Sequence, residues 1–242
     1  MGLLEALKTK VLTADGAMGT LLYAYGLDNC HEEMNLIRPD LVEKIHAEYI
    51  AAGADVIQTN TYGANSIKLA RYGLESRVAE INEAAVSIAQ KAVGNGKQFI
   101  LGSIGAIRGV RKTDVTLEEI LAAIKVQAKV LIDGQVDGLL LETYYDFEEL
   151  AETIKLLRSE TTLPIIAQVS MPEPGILING MNLNEALKQL EALGADIVGV
   201  NCRLGPHHTI QAFEGVELPG KAFLSAYPNA SLLDIEEGRV IY

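Results

Sequence analysis

The feature that most constrains this chain is a recurring unit: an amphipathic stretch, then a glycine, then an aspartate that leads into a short apolar run. It stands at Ala52-Gly53-Ala54-Asp55, at Asp133-Gly134-Gln135-Val136-Asp137 and at Leu193-Gly194-Ala195-Asp196. Glycine relieves the left-handed backbone at a helix C-terminus, after which the chain can enter a strand. The apolar runs are nearly continuous rather than alternating, which says that both faces of the strands are covered. Serial helix–strand units of this kind build a parallel sheet.

Seven runs read as strands: Val11–Ala14, Asp55–Thr59, Phe99–Ser103, Gly138–Glu142, Pro164–Ser170, Ile197–Asn201 and Lys221–Ala226. Helical patterns lie between them at Leu41–Ala52, Ser76–Val93, Leu117–Asp133, Phe147–Ser159, Leu183–Leu193 and about His208–Glu214. Leu41, Ile45, Glu48 and Tyr49 keep the helical rhythm. Thr116 with Glu119 three residues on is a capping-box start. Asn182 or Leu183 opens the next helix, with Glu185 in its first turn, where an acidic side chain favours the helix dipole. The stretch Asp234–Tyr242 is acidic and loop-like, and nothing in it supplies a further strand and helix. An α/β barrel typically needs about 250 residues and eight such units. The chain has 242 residues, so it reads as a single domain over 1–242 with about seven units and an incomplete C-terminal end.

The net charge of −12 comes without a cluster of Lys and Arg, which argues against nucleic acid as a partner. Trp is absent and aromatics are scarce, so stacking platforms for bases are not evident. The longest apolar runs are too short to span a membrane, and no secretory leader is visible. Two cysteines cannot build a disulfide framework, and a reducing cytoplasm fits best.

Polar residues collect where the strands end, which is where α/β barrels place their chemistry. The ends read Asp15-Gly16-Ala17-Met18-Gly19-Thr20, Gln58-Thr59-Asn60-Thr61-Tyr62-Gly63-Ala64-Asn65, Gly102-Ser103-Ile104-Gly105, Glu142-Thr143-Tyr144, Gln168-Val169-Ser170 and Asn201-Cys202. Asp15 before a glycine is equally a turn or a helix cap. Glu142 closes the run Leu139-Leu140-Leu141, where a carboxylate is costly unless it is paired or used. Cys202 taken alone is more often a small buried hydrophobe than a ligand. His207-His208 could bind a metal, but two adjacent histidines after Gly205-Pro206 read better as a loop and helix start.

The strings Asp15–Thr20, Gln58–Asn65 and Gly199-Val200-Asn201-Cys202 with Leu204-Gly205-Pro206, in this order, resemble the homocysteine S-methyltransferase family. Leu69-Ala70-Arg71-Tyr72-Gly73-Leu74 with Ala79-Glu80-Ile81-Asn82 looks closer to its methionine synthase branch, and to bacterial enzymes that fuse this domain to a methylenetetrahydrofolate reductase. The likeness runs over about residues 11 to 230.

The resemblance implies a (β/α)8 TIM barrel that moves a methyl group to the zinc-activated thiolate of L-homocysteine and gives methionine. It implies that Glu142 meets the amino group, that groups around Ser103 and Gly105 hold the carboxylate, and that Asp15 shapes the thiol end. Thr59 and Tyr62 would line the wall, with Asn201 in the same pocket. Gly63 stands where the betaine branch carries an aromatic. Cys202 would be one of three cysteine ligands to zinc; the other two, an adjacent pair after two glycines, are expected beyond Tyr242. In this 242-residue form zinc binding and activity are then expected to be weak or absent. The donor would be methyltetrahydrofolate, a cobalamin or an S-methylated compound, with a fused reductase or folate domain as possible company. Open strand edges invite a homodimer. Two other readings stand beside this one: a non-catalytic homocysteine- or partner-binding module, and an unrelated barrel lyase. The lyase would want a Lys at a strand end, and none is there.

Overall fold

The computed structural model describes residues 1–26, 29–109, 114–217, 220–230, 234–236 and 239–241, the last two segments as backbone only. Helices α1 (Leu3–Leu7), α2 (Met18–Ala24), α3 (Met34–Ile37) and α4 (Pro39–Ala51) precede strand β1 (Val56–Gln58). Helix α5 (Ser66–Leu69), two 3-10 turns at Ala70–Tyr72 and Glu75–Arg77, and α6 (Val78–Val93) lead to β2 (Phe99–Gly105). Then come α7 (Leu117–Asp133), β3 (Gly138–Tyr144), α8 (Phe147–Glu160), β4 (Ile165–Val169), α9 (Leu183–Ala192), β5 (Ile197–Asn201), α10 (Pro206–Phe213) and β6 (Phe223–Tyr227). Strands β1 to β6 form one parallel sheet in sequence order, with a helix in every crossover. This is the (β/α) TIM-barrel type of architecture.

The recurring aspartates explain themselves here. Each sits just before a strand and accepts the first free N–H of the preceding stave. Asp137 accepts from Ile100 N at 2.8 Å, Asp196 from Ile165 N at 2.9 Å, and Asp55 from Thr13 N at 3.1 Å. Their own backbone N–H groups donate to Ile100, Ile165 and Thr13. Side chain and main chain thus pin the same neighbour, and the register of β2–β3 and of β4–β5 is fixed at its lower end. The register matters because a slip of one residue would turn every inward side chain outward.

With the register pinned, the strands sort their side chains by alternation. Ile57, Ile100, Ile104, Leu139, Leu141, Ile165, Ala167, Val198 and Val200 face outward into the helix layer. Val56, Leu101, Leu140, Ile166 and Ile197 face inward with Phe223 and form the floor of the interior. Helix α1 closes that floor from below: Leu3 is buried in the same cluster, with Leu4 and Leu7 against it. Above the floor the inward residues turn polar. Gln168 donates to the Ser225 hydroxyl at 3.0 Å, and Gly199 is inward where any Cβ would collide with the Ser225 backbone.

Several expectations need correction. Seven strands reduce to six, because Val11–Ala14 contributes only a single parallel bridge, Ala14 to Val56. Val11 is 90% exposed, and a segment that pairs with one neighbour at one point does not extend into a strand. The stretch from Asp234 is not all loop: β7 (Asp234–Glu236) and β8 (Arg239–Ile241) pair antiparallel as a separate hairpin. The last helix starts at Pro206 rather than His208, since Pro is well placed in a first helical turn. At Gly134 the glycine is not the left-handed residue. Its φ is −73° and Gln135 takes φ 63° instead, whereas Gly53 and Gly194 do carry positive φ. The caps stand as read: Thr116 and Glu119 form the capping box, and Asn182 caps α9.

Asp196 also pairs with Arg158, so its removal would orphan a strand N–H and take the carboxylate from a half-buried guanidinium that keeps only its bonds to Gly194 O and Leu163 O. The Asp196→Ala variant is expected to lose about 1–3 kcal/mol in urea unfolding. Asp40→Ala, which breaks only an exposed pair with Arg38, should stay within about 0.5 kcal/mol; equal losses would contradict the register-pinning role.

Candidate functional site

The upper ends of the strands bring the inward polar residues to one mouth. Glu142, at the end of β3, is the centre. The Ser103 hydroxyl of β2 donates to its Oε1, and the Asn201 amide of β5 reaches its Oε2 at 3.4 Å. Burial pushes the Glu142 carboxyl above the usual carboxylate range; the Ser103 bond and the Lys68 ammonium pull the other way. A carboxylate held this way costs free energy until a cation meets it.

Asn201 ties three groups together. Its Nδ2 donates to Thr143 Oγ1 at 2.8 Å and to Cys202 Sγ at 3.4 Å, and its Oδ1 accepts from Thr143 N at 2.8 Å. Thr143, Cys202 and Arg203 all hold positive φ, at 61°, 55° and 64°. Left-handed backbone is costly for such residues and persists only where the surroundings impose it. Here the imposing contacts are the Asn201 bonds and the Cys202 N–H donated to Tyr227 O at 2.8 Å. Burial and the nearby Glu142 push the Cys202 thiol up, against the neighbouring Thr143 and Asn201.

Asp15 lies across the mouth, just past the single bridge at Ala14. It is neither turn nor helix cap: its Oδ2 accepts from Gln58 N at 2.9 Å, and its Oδ1 accepts from Gln58 Nε2 at 3.0 Å. The Tyr227 hydroxyl, at the end of β6, donates to Oδ1 at 2.9 Å and in turn accepts from Gln58 Nε2 at 2.6 Å. Burial outweighs these donors and raises the Asp15 carboxyl to about 7.

Thr59 and Tyr62 come from the loop after β1. The Thr59 hydroxyl accepts from Ser103 N at 3.1 Å and shares a 2.6 Å bond with Thr61. Tyr62 lies against Gly105, where any side chain would run into its ring, and burial pushes its phenol up. The N–H of Gly105 donates to Tyr62 O at 2.9 Å and that of Ala106 to Glu142 O at 3.3 Å. All of the residues singled out from sequence, Asp15, Thr59, Tyr62, Ser103, Gly105, Glu142, Asn201 and Cys202, thus border one mouth. Gln58, Thr143, Lys68 and Tyr227 were missed. Gln58 shares the inward phase of Val56, and Tyr227 that of Phe223 and Ser225, so alternation within each run was the available signal.

As a metal centre the described residues do not suffice. Among them no group of three His, Cys, Asp or Glu is placed to hold an ion. Cys202 is free, and Cys30 is a separate buried thiol. A catalytic zinc takes about three protein ligands, so one sulfur beside one carboxylate does not fit the group by itself.

A parallel α/β barrel with a polar mouth at the C-terminal ends of its strands, built around a desolvated carboxylate, is an enzyme scaffold of the TIM-barrel type. Comparison with known proteins narrows this. The family model for homocysteine S-methyltransferase matches residues 12–241, and the chain belongs to that family. It is 30% identical over 249 aligned positions to methionine synthase of Mycobacterium tuberculosis, an alignment covering 95% of this chain and 21% of that protein. Methionine synthase of Mycobacterium leprae matches to the same extent. The chain therefore spans about a fifth of the length of these curated relatives. Among solved structures, the metallated form of the homocysteine methyltransferase MmuM from Escherichia coli superposes with a TM-score of 0.81 at 24% identity. That match covers 94% of this chain and 86% of that one, and it supports the fold. No helix among the described residues is long and apolar enough to cross a membrane.

The raised Asp15 carboxyl has a signed consequence. Between pH 4 and about 7 the unfolded chain sheds a proton that the folded chain keeps, so this group makes stability fall as pH rises and adds no further change above about 7. Asp15→Asn should therefore gain stability over the parent across that window and hold the gain above it, by urea unfolding at a series of pH values. A difference that is flat from pH 4 to 8 would count against a buried, protonated Asp15.

Proposed function

We propose that this chain binds L-homocysteine in the mouth and orients its sulfur for methylation to methionine. The observation that carries the reading is the half-buried Glu142 carboxylate, held by Ser103 and Asn201 without a cation of its own at bonding distance among the described residues. A substrate ammonium supplies the missing charge, and pairing returns the Glu142 carboxyl toward its ionised form.

The other end of the amino acid lies toward Ser103 and Gly105. The backbone N–H groups of both are engaged within the fold, so the mobile donor is the Ser103 hydroxyl. It can swing from Glu142 to the substrate carboxylate once the ammonium has taken over that carboxyl. Gly105 and Tyr62 leave the width for this end. The sulfur then points toward Asp15 and Cys202. Asp15, close to half-protonated at neutral pH, presents a carboxyl that costs little to hold beside a thiol. Fixing both ends of the substrate places its sulfur in one orientation before the donor arrives.

The thiolate is the nucleophilic form of a thiol, and a bound zinc makes that form available at neutral pH. Were zinc bound here, Cys202 would supply one sulfur to it. A methyl donor (methyltetrahydrofolate, a cobalamin or an S-methylated compound) and a fused reductase or folate domain are part of the same proposal.

Calorimetry with L-homocysteine checks the reading. Glu142→Gln keeps the shape and removes the charge, and should weaken binding by about ten- to a hundredfold; unchanged affinity would refute the ammonium assignment. Binding that is indifferent to added zinc would favour an acceptor-binding module. The dialysed chain should hold zinc well below a full equivalent by elemental analysis, and a full equivalent would contradict the ligand assignment.

A further inference from the structure

Lys68 is a half-buried cation beside the site wall with no task in the proposal above. It lies on α5, which Asn65 caps by accepting from Lys68 N at 3.0 Å. Its ammonium stands 3.9 Å from the centre of the Tyr62 ring. No acidic side chain is within ion-pair distance of it among the described residues. Glu32 and Glu142 act on it through space, and burial still lowers its pKa to about 8. The stem is also placed: its Cδ would be 3.4 Å from a Cβ at Gly63, whose N–H donates to Glu32 at 2.6 Å.

A long, flexible ammonium normally reaches solvent. Lys68 instead spends its position on one aromatic face, and that ring belongs to Tyr62. Tyr62 is fixed on its other contacts by Gly105, against which it lies, and by its own carbonyl, which accepts from Gly105 N. The Thr143 side chain neighbours both the Tyr62 phenol and the Cys202 thiol, and its polarity favours their ionised forms. Thr143 is one of the left-handed residues that Asn201 holds. A line of contacts therefore runs from Lys68 through Tyr62 to the strained backbone that carries Glu142 and faces Cys202.

We propose that Lys68 is a positioning residue: by a cation–π contact it clamps Tyr62 against Gly105, and through Tyr62 it braces Thr143 and the Glu142–Cys202 side of the mouth. The inference rests on the reading of this mouth as a homocysteine site only for its first test. A desolvated cation–π contact accounts for between about twofold and thirtyfold in an equilibrium, so the effect is measurable without the fold failing.

The variants are Lys68→Met, which keeps the stem and deletes the charge, Lys68→Arg, which restores it, and each lysine change again in a Tyr62→Leu background. Two readouts are taken on the 242-residue chain: the Kd for L-homocysteine by calorimetry, and the alkylation rate of Cys202 by iodoacetamide, followed by mass spectrometry of its own peptide. Lys68→Met should raise the Kd and speed alkylation, each by about two- to thirtyfold, and Lys68→Arg should recover most of both. In the Tyr62→Leu background the Lys68 change should do nothing further to alkylation, because neighbours that act as one unit are not additive, and should leave in the Kd only the through-space effect of its charge on Glu142. Unchanged Kd and alkylation in Lys68→Met, or full additivity with Tyr62→Leu, would overturn the inference. If the unmodified chain does not bind homocysteine, the proposed function fails, while the alkylation arm still decides the role of Lys68. Circular dichroism melts separate a misfolded variant from a repositioned wall.

Discussion

Pinned parallel register is the constraint on which the rest of this structure depends. At β2–β3 and β4–β5, and where Thr13 meets Asp55, the lower end is fixed by an aspartate that binds its neighbour with both its side chain and its backbone. Alternation does the remainder. Once Val56, Leu101, Leu140, Ile166 and Ile197 form an apolar floor, the inward residues one level and two levels higher are Gln58, Ser103, Glu142 and Asn201. The polar mouth is thus a consequence of register, and a slip of one residue on β3 would send Glu142 into the helix layer in place of Leu141.

The mouth is electrostatically unfinished. Burial raises the carboxyls of both Asp15 and Glu142, and Glu142 raises that of Asp15 further. Such an arrangement costs stability in the free protein and is repaid when a cationic group enters. The left-handed Thr143 and Cys202 belong to the same economy of strain: neither conformation is favoured locally, and both are held by Asn201 and by the Tyr227 carbonyl. Strain and desolvation meet at the strand ends, where sites are found, rather than being spread over the scaffold.

Much of this was legible in the chain itself because it is local. The helix–Gly–Asp–strand repeat, the Thr116 box and the Asn182 cap are decided within a few residues, and they fixed the order of the βα units. The strand-end strings held Asp15, Thr59, Tyr62, Ser103, Gly105, Glu142, Asn201 and Cys202, which border the mouth, but not Lys68 or Tyr227. What sequence could not supply is long-range or conformational. The Asp15–Gln58–Tyr227 cluster joins positions 212 apart in the chain. The first run looked like a strand because Val11, Leu12 and Ala14 are apolar, but a strand also needs a ladder, and only Ala14 has one. Gln135 in place of Gly134 as the left-handed residue shows the same limit: composition suggests where a turn falls, not which residue of it takes the positive φ.

The central claim is that a desolvated carboxyl at the top of β3 recognises an ammonium group. The most direct measurement compares L-homocysteine with its analogue lacking only the amino group, 4-mercaptobutyrate, by calorimetry on the unmodified chain. The account expects the amino acid to bind at least about tenfold more tightly. Equal affinity for the two would contradict it, since the mouth would then be reading the thiol or the carboxylate and Glu142 would be a buried cost without a purpose.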